Sequence, residues 1–223
     1  LKNFSPIKDE LSIHFKEQDG TIIKTYKSND ENDKLEIKSG GNTFVWNTLY
    51  EGAEILDSMI FWSASFSGAK AVPGKYKVVL EKNGESQEQE FEILPDPRSE
   101  VSISQMRLQF DFVNKVNATV DKAHKAIKNI RQIRKKLEEF DSNFSENESV
   151  INLVKKAKQL NSSLTEIEKA LYQTKNRSRQ DPLNFPIKLT NKLGHLNSLV
   201  TSNDFPPTNQ DELVRKELTA EVE

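Results

Sequence analysis

The hydrophobic pattern changes period once along the chain. In the first part apolar residues alternate with polar ones. Leu11, Ile13 and Phe15 alternate with Ser12 and His14, Asp19-Gly20 follows, and Ile22, Ile23 and Tyr26 return, which predicts a hairpin. Phe44 and Trp46 alternate with Thr43, Val45 and Asn47 after Gly40-Gly41 and predict a further strand. Pro73-Gly74 opens a strand through Tyr76, Val78 and Leu80. Asn83-Gly84 is the strongest two-residue hairpin signal in the chain, and Phe91 and Ile93 lie on the return strand. Short strands at this spacing predict an antiparallel β-sandwich over residues 1–95.

Pro95-Asp96-Pro97 stops strand and helix alike and marks the predicted domain boundary. Beyond it the spacing becomes three and four. Val113, Val116, Val120, Ala123, Ile127, Ile130 and Leu137 share one helix face, with Arg134 at one seam position, which predicts a helix over roughly 102–140. Residues 141–148 predict a polar loop. Val150, Leu153, Ala157, Leu160, Leu164, Ile167 and Leu171 form a second seam. Leu189, Leu193, Leu196 and Val200 form a third, and Thr208 after Pro206-Pro207 caps a fourth helix. Residues 96–223 therefore predict an antiparallel bundle of three to four helices, and the whole chain reads as an all-β domain followed by an all-α one.

The 223 residues are 30% charged and 35% hydrophobic, with a net charge of -2. Residues 1–95 hold 11 basic and 16 acidic side chains, and the remainder 21 and 18, so neither part has a field that selects nucleic acid or anionic lipid. The basic run Lys122, Lys125, Lys128, Arg131, Arg134, Lys135 and Lys136 lacks interleaved aromatics and is followed by Glu138 and Glu139, so it reads as a solvated face. With no cysteine there are no disulfides and no thiolate sites. No signal peptide and no apolar run long enough to span a bilayer is present, and no membrane insertion is expected.

Catalytic signatures are absent. His14, His124 and His195 have no metal-ligand spacing and read as surface or boundary residues. There is no Gly-x-Ser-x-Gly elbow and no phosphate loop, and Glu166 and Glu168 point to different sides of a helix. No cofactor or metal is expected. Two features remain. Trp62 follows Met59-Ile60-Phe61 and is a candidate to stack on a sugar ring or to pack over the end of the sandwich. The polar connection over 173–186 carries Asn176, Arg177, Gln180, Asp181 and Asn184, which are candidate binding or docking residues. There Asp181 and Pro182 stand where the cap and first position of the third helix would be, and Leu183 and Phe185 are expected to be buried.

Two stretches carry a resemblance. Residues 40–98 include Gly-Gly-Asn-Thr-Phe-Val-Trp-Asn, Met-Ile-Phe-Trp, Ala-Val-Pro-Gly-Lys-Tyr-Lys-Val-Val-Leu and Asp-Pro-Arg. From Tyr172 the chain reads Tyr-Gln-Thr-Lys-Asn-Arg-Ser-Arg-Gln-Asp-Pro-Leu-Asn-Phe-Pro-Ile-Lys-Leu. Together they resemble the C-terminal region of large bacterial sortilin-like (VPS10-type) BNR-repeat proteins, often labelled glycosyl hydrolases. The first stretch is shared more loosely with Ig-like modules such as those of flagellar hook-capping proteins. The resemblance implies an Ig-like sandwich, an exported bacterial protein, and an accessory role beside a β-propeller of the same polypeptide. The propeller and its Asp-box signature are not in this sequence, so no catalytic residue carries over. The alternative is a carbohydrate-binding module using exposed sandwich aromatics.

Overall fold

The computed structural model describes residues 10–30 and 34–223. It holds a four-stranded antiparallel sheet and four helices. The strands are β1 (Leu11–Lys16), β2 (Ile22–Lys27), β3 (Gly74–Lys82) and β4 (Glu85–Ile93), in the order β2-β1-β3-β4. Both hairpins fall where the turn residues put them. Asn83 and Gly84 join β3 to β4 with φ of 53° and 85°, the doubly positive geometry that a type I′ turn demands. Leu11, Phe15, Tyr76 and Tyr26 point to one face and are buried.

The predicted Phe44–Trp46 strand is not one. Residues 41–47 form no strand, and the described strands make one sheet rather than the two of a sandwich. Aromatic packing governs this segment instead. Trp46 stacks on Phe15 at 4.3 Å between ring centroids and Phe44 lies 4.7 Å from Tyr26, so irregular chain covers the sheet's apolar face. The Trp46 indole donates to the Leu49 carbonyl at 3.1 Å, which closes the local turn without a ladder.

The helices are α1 (Ile103–Phe144), α2 (Ile151–Leu171), α3 (Leu189–Val200) and α4 (Asn209–Val222). Ser102 and Gln105 form a reciprocal cap ahead of α1: the Ser102 amide donates to Gln105 Oε1, and the Gln105 amide to Ser102 Oγ. Thr208 and Asp211 do the same for α4, as the sequence predicts for Thr208. α1 continues through part of the predicted polar loop to Phe144, where Phe140 and Phe144 pack one turn apart with centroids at 5.0 Å. No helix among the described residues is long and apolar enough to cross a membrane.

The chain divides into two compact units, but not at Pro95. One unit takes residues 1–51 and 67–110, and the other takes 52–66 and 111–223. The segment 52–66, which the period-two reading assigns to the sandwich, belongs to the helical unit. Its composition explains why: Ala53, Leu56, Met59, Phe61, Ala64 and Phe66 contribute to the helical core beside Phe112, Val120, Ile127, Leu193 and Leu196. Pro95 and Pro97 break the secondary structure without separating the units.

Candidate functional site

Residues 52–66 form an irregular strap in the helical unit, held by polar side chains from the helices and from the connection that follows α2. Irregular chain that packs on a core must find hydrogen-bond partners for the backbone groups it covers. Here side chains supply them. Glu54 N–H donates to Asp121 Oδ1 at 2.7 Å, and His124 Nδ1 donates to the Glu54 carbonyl at 2.5 Å. Ile60 N–H donates to the Tyr172 hydroxyl at 2.8 Å, and Asn176 Nδ2 donates to the Ile60 carbonyl at 3.3 Å. Asn191 pairs with Trp62 as a strand would, accepting from its N–H and donating to its carbonyl, both at 2.8 Å. His195 Nδ1 and Ser198 Oγ both donate to the Ser63 carbonyl, at 2.9 and 3.0 Å. Ser65 N–H reaches the Gly194 carbonyl at 2.8 Å.

His124 overturns the surface reading of the three histidines. It is fully buried between Phe61 and Phe66, with ring centroids 5.8 Å from each. Burial pushes its pKa below the ordinary 6.5, against the pull of the Glu54 carbonyl. Its Nε2 is buried without a hydrogen-bond partner, and Nδ1 faces a carbonyl and must carry the proton, so the ring is held neutral.

The connection over 173–186 differs from its predicted form. Asp181 does not cap α3, which begins at Leu189 with Lys188 before it. Asp181–Leu183 is one turn of 3-10 helix, with Pro182 near its start. The Asp181 carboxylate points back along the chain and accepts from the amides of Arg177 and Ser178 and from the Ser178 hydroxyl. Those backbone bonds lower its pKa. Asn176 is buried on the strap, whereas Arg177, Gln180 and Asn184 are exposed. Leu183 is 67% exposed, against expectation, and Phe185 is half-buried under the Lys175 ammonium at 5.5 Å. Trp62 lies in the helical unit rather than the sheet unit, with the residue 43% exposed and its backbone fixed by Asn191.

Sequence reasoning missed Asn191, His124 and Asn197, whose Nδ2 donates to the Ser65 carbonyl at 3.4 Å, as partners of the strap. A signal was available. Asn191 and Asn197 flank the Leu193 and Leu196 seam of an apolar helix, and amides that a seam carries into a core need a backbone or side-chain partner. Arg134, the charge at a seam position, is explained too. Arg131 Nε and Arg134 Nη1 donate to the two oxygens of Glu168 at 2.8 and 2.9 Å, and Glu168 is 3% exposed. Other members of the basic run pair with Glu223 and Glu54, at 3.1 Å from Lys122 and Lys128 respectively.

In the sheet unit a histidine lies among hydroxyl and carboxylate groups. On the outer sheet face His14 Nε2 lies 2.9 Å from Ser12 Oγ, and Nδ1 lies 2.9 Å from Thr25 Oγ1. Glu81 approaches Nε2 at 3.5 Å. A nucleophilic relay needs its carboxylate on the ring nitrogen opposite the serine. Glu81 and Ser12 share one nitrogen, so the arrangement is a cross-strand polar network and not a relay. Among the described residues no group of three or more His, Asp or Glu side chains is placed to hold a metal ion. In comparisons with protein-family models, curated proteins and solved structures, nothing matches this chain.

Proposed function

We propose that the chain is a non-catalytic accessory and interaction module, the C-terminal region of a larger exported bacterial β-propeller protein of the BNR-repeat type. The division of labour within 172–184 carries this reading. Tyr172 and Asn176 face inward and hold the strap. Arg177, Gln180 and Asn184 are exposed, and their side chains make no hydrogen bond among the described residues. A turned loop that presents exposed polar groups suits a partner surface. The partner in this reading is the propeller of the same polypeptide. The test is to express the propeller and this chain separately and titrate one with the other. Arg177→Ala with Asn184→Ala is expected to weaken binding about tenfold or more while leaving the melting temperature unchanged. No binding between the intact parts would sink the docking reading. Turnover of aryl glycosides by the pure chain, abolished by one Asp or Glu substitution, would sink the non-catalytic one.

One observation favours a carbohydrate-binding alternative. Trp62 is a partly exposed residue on a backbone already fixed by two hydrogen bonds, which lowers the entropic cost of stacking on a pyranose. In that case oligosaccharides shift the tryptophan fluorescence, and Trp62→Ala abolishes the shift. For the sheet unit we propose an Ig-like ancestry in which residues 43–47 stand for the second layer. Alternating amide protection there supports it, and uniformly fast exchange does not.

A further inference from the structure

One imidazole on α1 holds the strap from inside. His124 is wholly buried, and the two phenylalanine rings beside it, Phe61 and Phe66, both belong to the strap. Its Nδ1 proton goes to the Glu54 carbonyl, also on the strap, while Nε2 has no hydrogen-bond partner. For the neutral ring this leaves one unmade hydrogen bond at a lone pair. The protonated ring would carry a second N–H and a charge with no acceptor for either, a much larger cost in a buried site. Moving the strap relieves it, because the strap supplies the two rings and the carbonyl. The strap has no ladder of its own, and segments of that kind lie at the low end of local stability. The backbone freedom that residues 52–66 regain on release offsets much of the apolar contact they lose.

We propose that the strap is an acid-released latch: protonation of His124 frees residues 52–66 from the helices while the helices and the sheet keep their structure, uncovering core residues such as Phe112 and Ile127. The charges around the ring do not rescue the cation. Asp121 on α1 and Glu54 on the strap favour it, but the Asp121 carboxylate is engaged by the Glu54 amide and the Glu54 carboxylate by Lys128 at 3.1 Å. Arg131, also on α1, opposes it and is itself held by Glu168 of α2. Tyr172, beside Phe61, gives its hydroxyl to the Ile60 amide. From α3, His195 reaches the Ser63 carbonyl through an Nδ1 proton that it keeps in both protonation states, so its titration leaves that bond in place. Once released, His124 has the ordinary pKa. Each pH unit below about 6.5 therefore favours the open strap about tenfold, until the ring titrates in the closed state as well. The latch is fully closed above that pH and loosens as pH falls.

The test is amide hydrogen exchange on the whole chain at about pH 7 and about pH 5, read as protection factors so that the intrinsic pH dependence of exchange drops out. The strap amides of Ile60, Trp62 and Ser65 donate to Tyr172, Asn191 and the Gly194 carbonyl. Their protection is expected to fall about tenfold or more at the lower pH, while amides within β3 and central α1 keep theirs. His124→Asn offers the Glu54 carbonyl a donor and cannot titrate, so strap protection should be level between the two conditions. Asp121→Asn keeps an acceptor for the Glu54 amide and removes the other acid group at the latch, and the loss should persist in it. Strap protection unchanged in the native chain, strap and β3 amides lost together, or a native response in His124→Asn would overturn the proposal. Should the asparagine variant at 124 not fold, Asp121→Asn decides: a response that it abolishes belongs to the carboxylate, and the latch is not His124.

Discussion

Asn191 shows how much one side chain does here. Its amide replaces a strand neighbour for Trp62, and nothing else among the described residues bonds those two backbone groups. Asn191→Ala removes two hydrogen bonds and strands a donor and an acceptor, so a loss of about 2–3 kcal/mol is expected in urea denaturation. An unchanged midpoint would mean that the strap is not held this way. His124 gives a pH-dependent expectation. Its folded pKa lies below the unfolded value of 6.5, so the unfolded chain binds the proton more readily. The stabilisation from the neutral ring is therefore complete above about pH 6.5 and is lost progressively as pH falls below it. Proton titration of the imidazole signals by NMR should place His124 below the ordinary histidine value of about 6.5. A His124 signal titrating at or above the ordinary value would contradict the buried, neutral assignment.

At the scale of elements, α3 and the α1–α2 hairpin make separate demands. α3 meets the strap so closely that a methyl group at Gly194 would lie 2.6 Å from Phe66 Cζ and 2.8 Å from the Ala64 Cβ. Gly194→Ala is therefore expected to destabilise by about 1–3 kcal/mol, although alanine is the better helix former. A stabilised variant would show that the strap yields easily. The hairpin depends on Glu168, buried between two arginines. Glu168→Ala leaves both guanidinium groups without their carboxylate and should cost about 3 kcal/mol, the lower end for a buried pair because the arginines are partly exposed. Glu168→Leu should be milder than Glu168→Ala, since it refills the volume. The reverse order in thermal denaturation would argue against the ion-pair account.

For the molecule as a whole, the consequence of the strap is that the helices do not form an independent sequence segment. A fragment starting at residue 96 lacks six apolar side chains of the helical core and leaves the inward-facing amides of Asn176 and Asn191 without their backbone partners. Such a fragment is expected to keep helical far-UV circular dichroism, to lose near-UV signal and to bind ANS. Adding a peptide of residues 50–68 in trans should restore the near-UV signal. Cooperative, ANS-silent unfolding of the fragment alone would refute the strap's role.

Much of the chain was legible from its sequence because the signals are local. Asn83-Gly84 sets a turn through its own backbone preferences, Thr208 with Asp211 caps α4 through a three-residue spacing, and Leu189, Leu193, Leu196 and Val200 mark a buried helix face by their spacing alone. What needed the tertiary structure was every choice between equally apolar alternatives. The run from Ala53 to Phe66 has the hydrophobicity of a strand but packs with the helices, because side chains more than a hundred residues away satisfy its backbone. Asp181 and Pro182 have the composition of a helix cap but close a turn of their own, because the carboxylate finds the amides behind it. The seam of α2 reads as wholly buried, yet one side of it stays open, because periodicity fixes which residues share a face and only packing decides what covers that face.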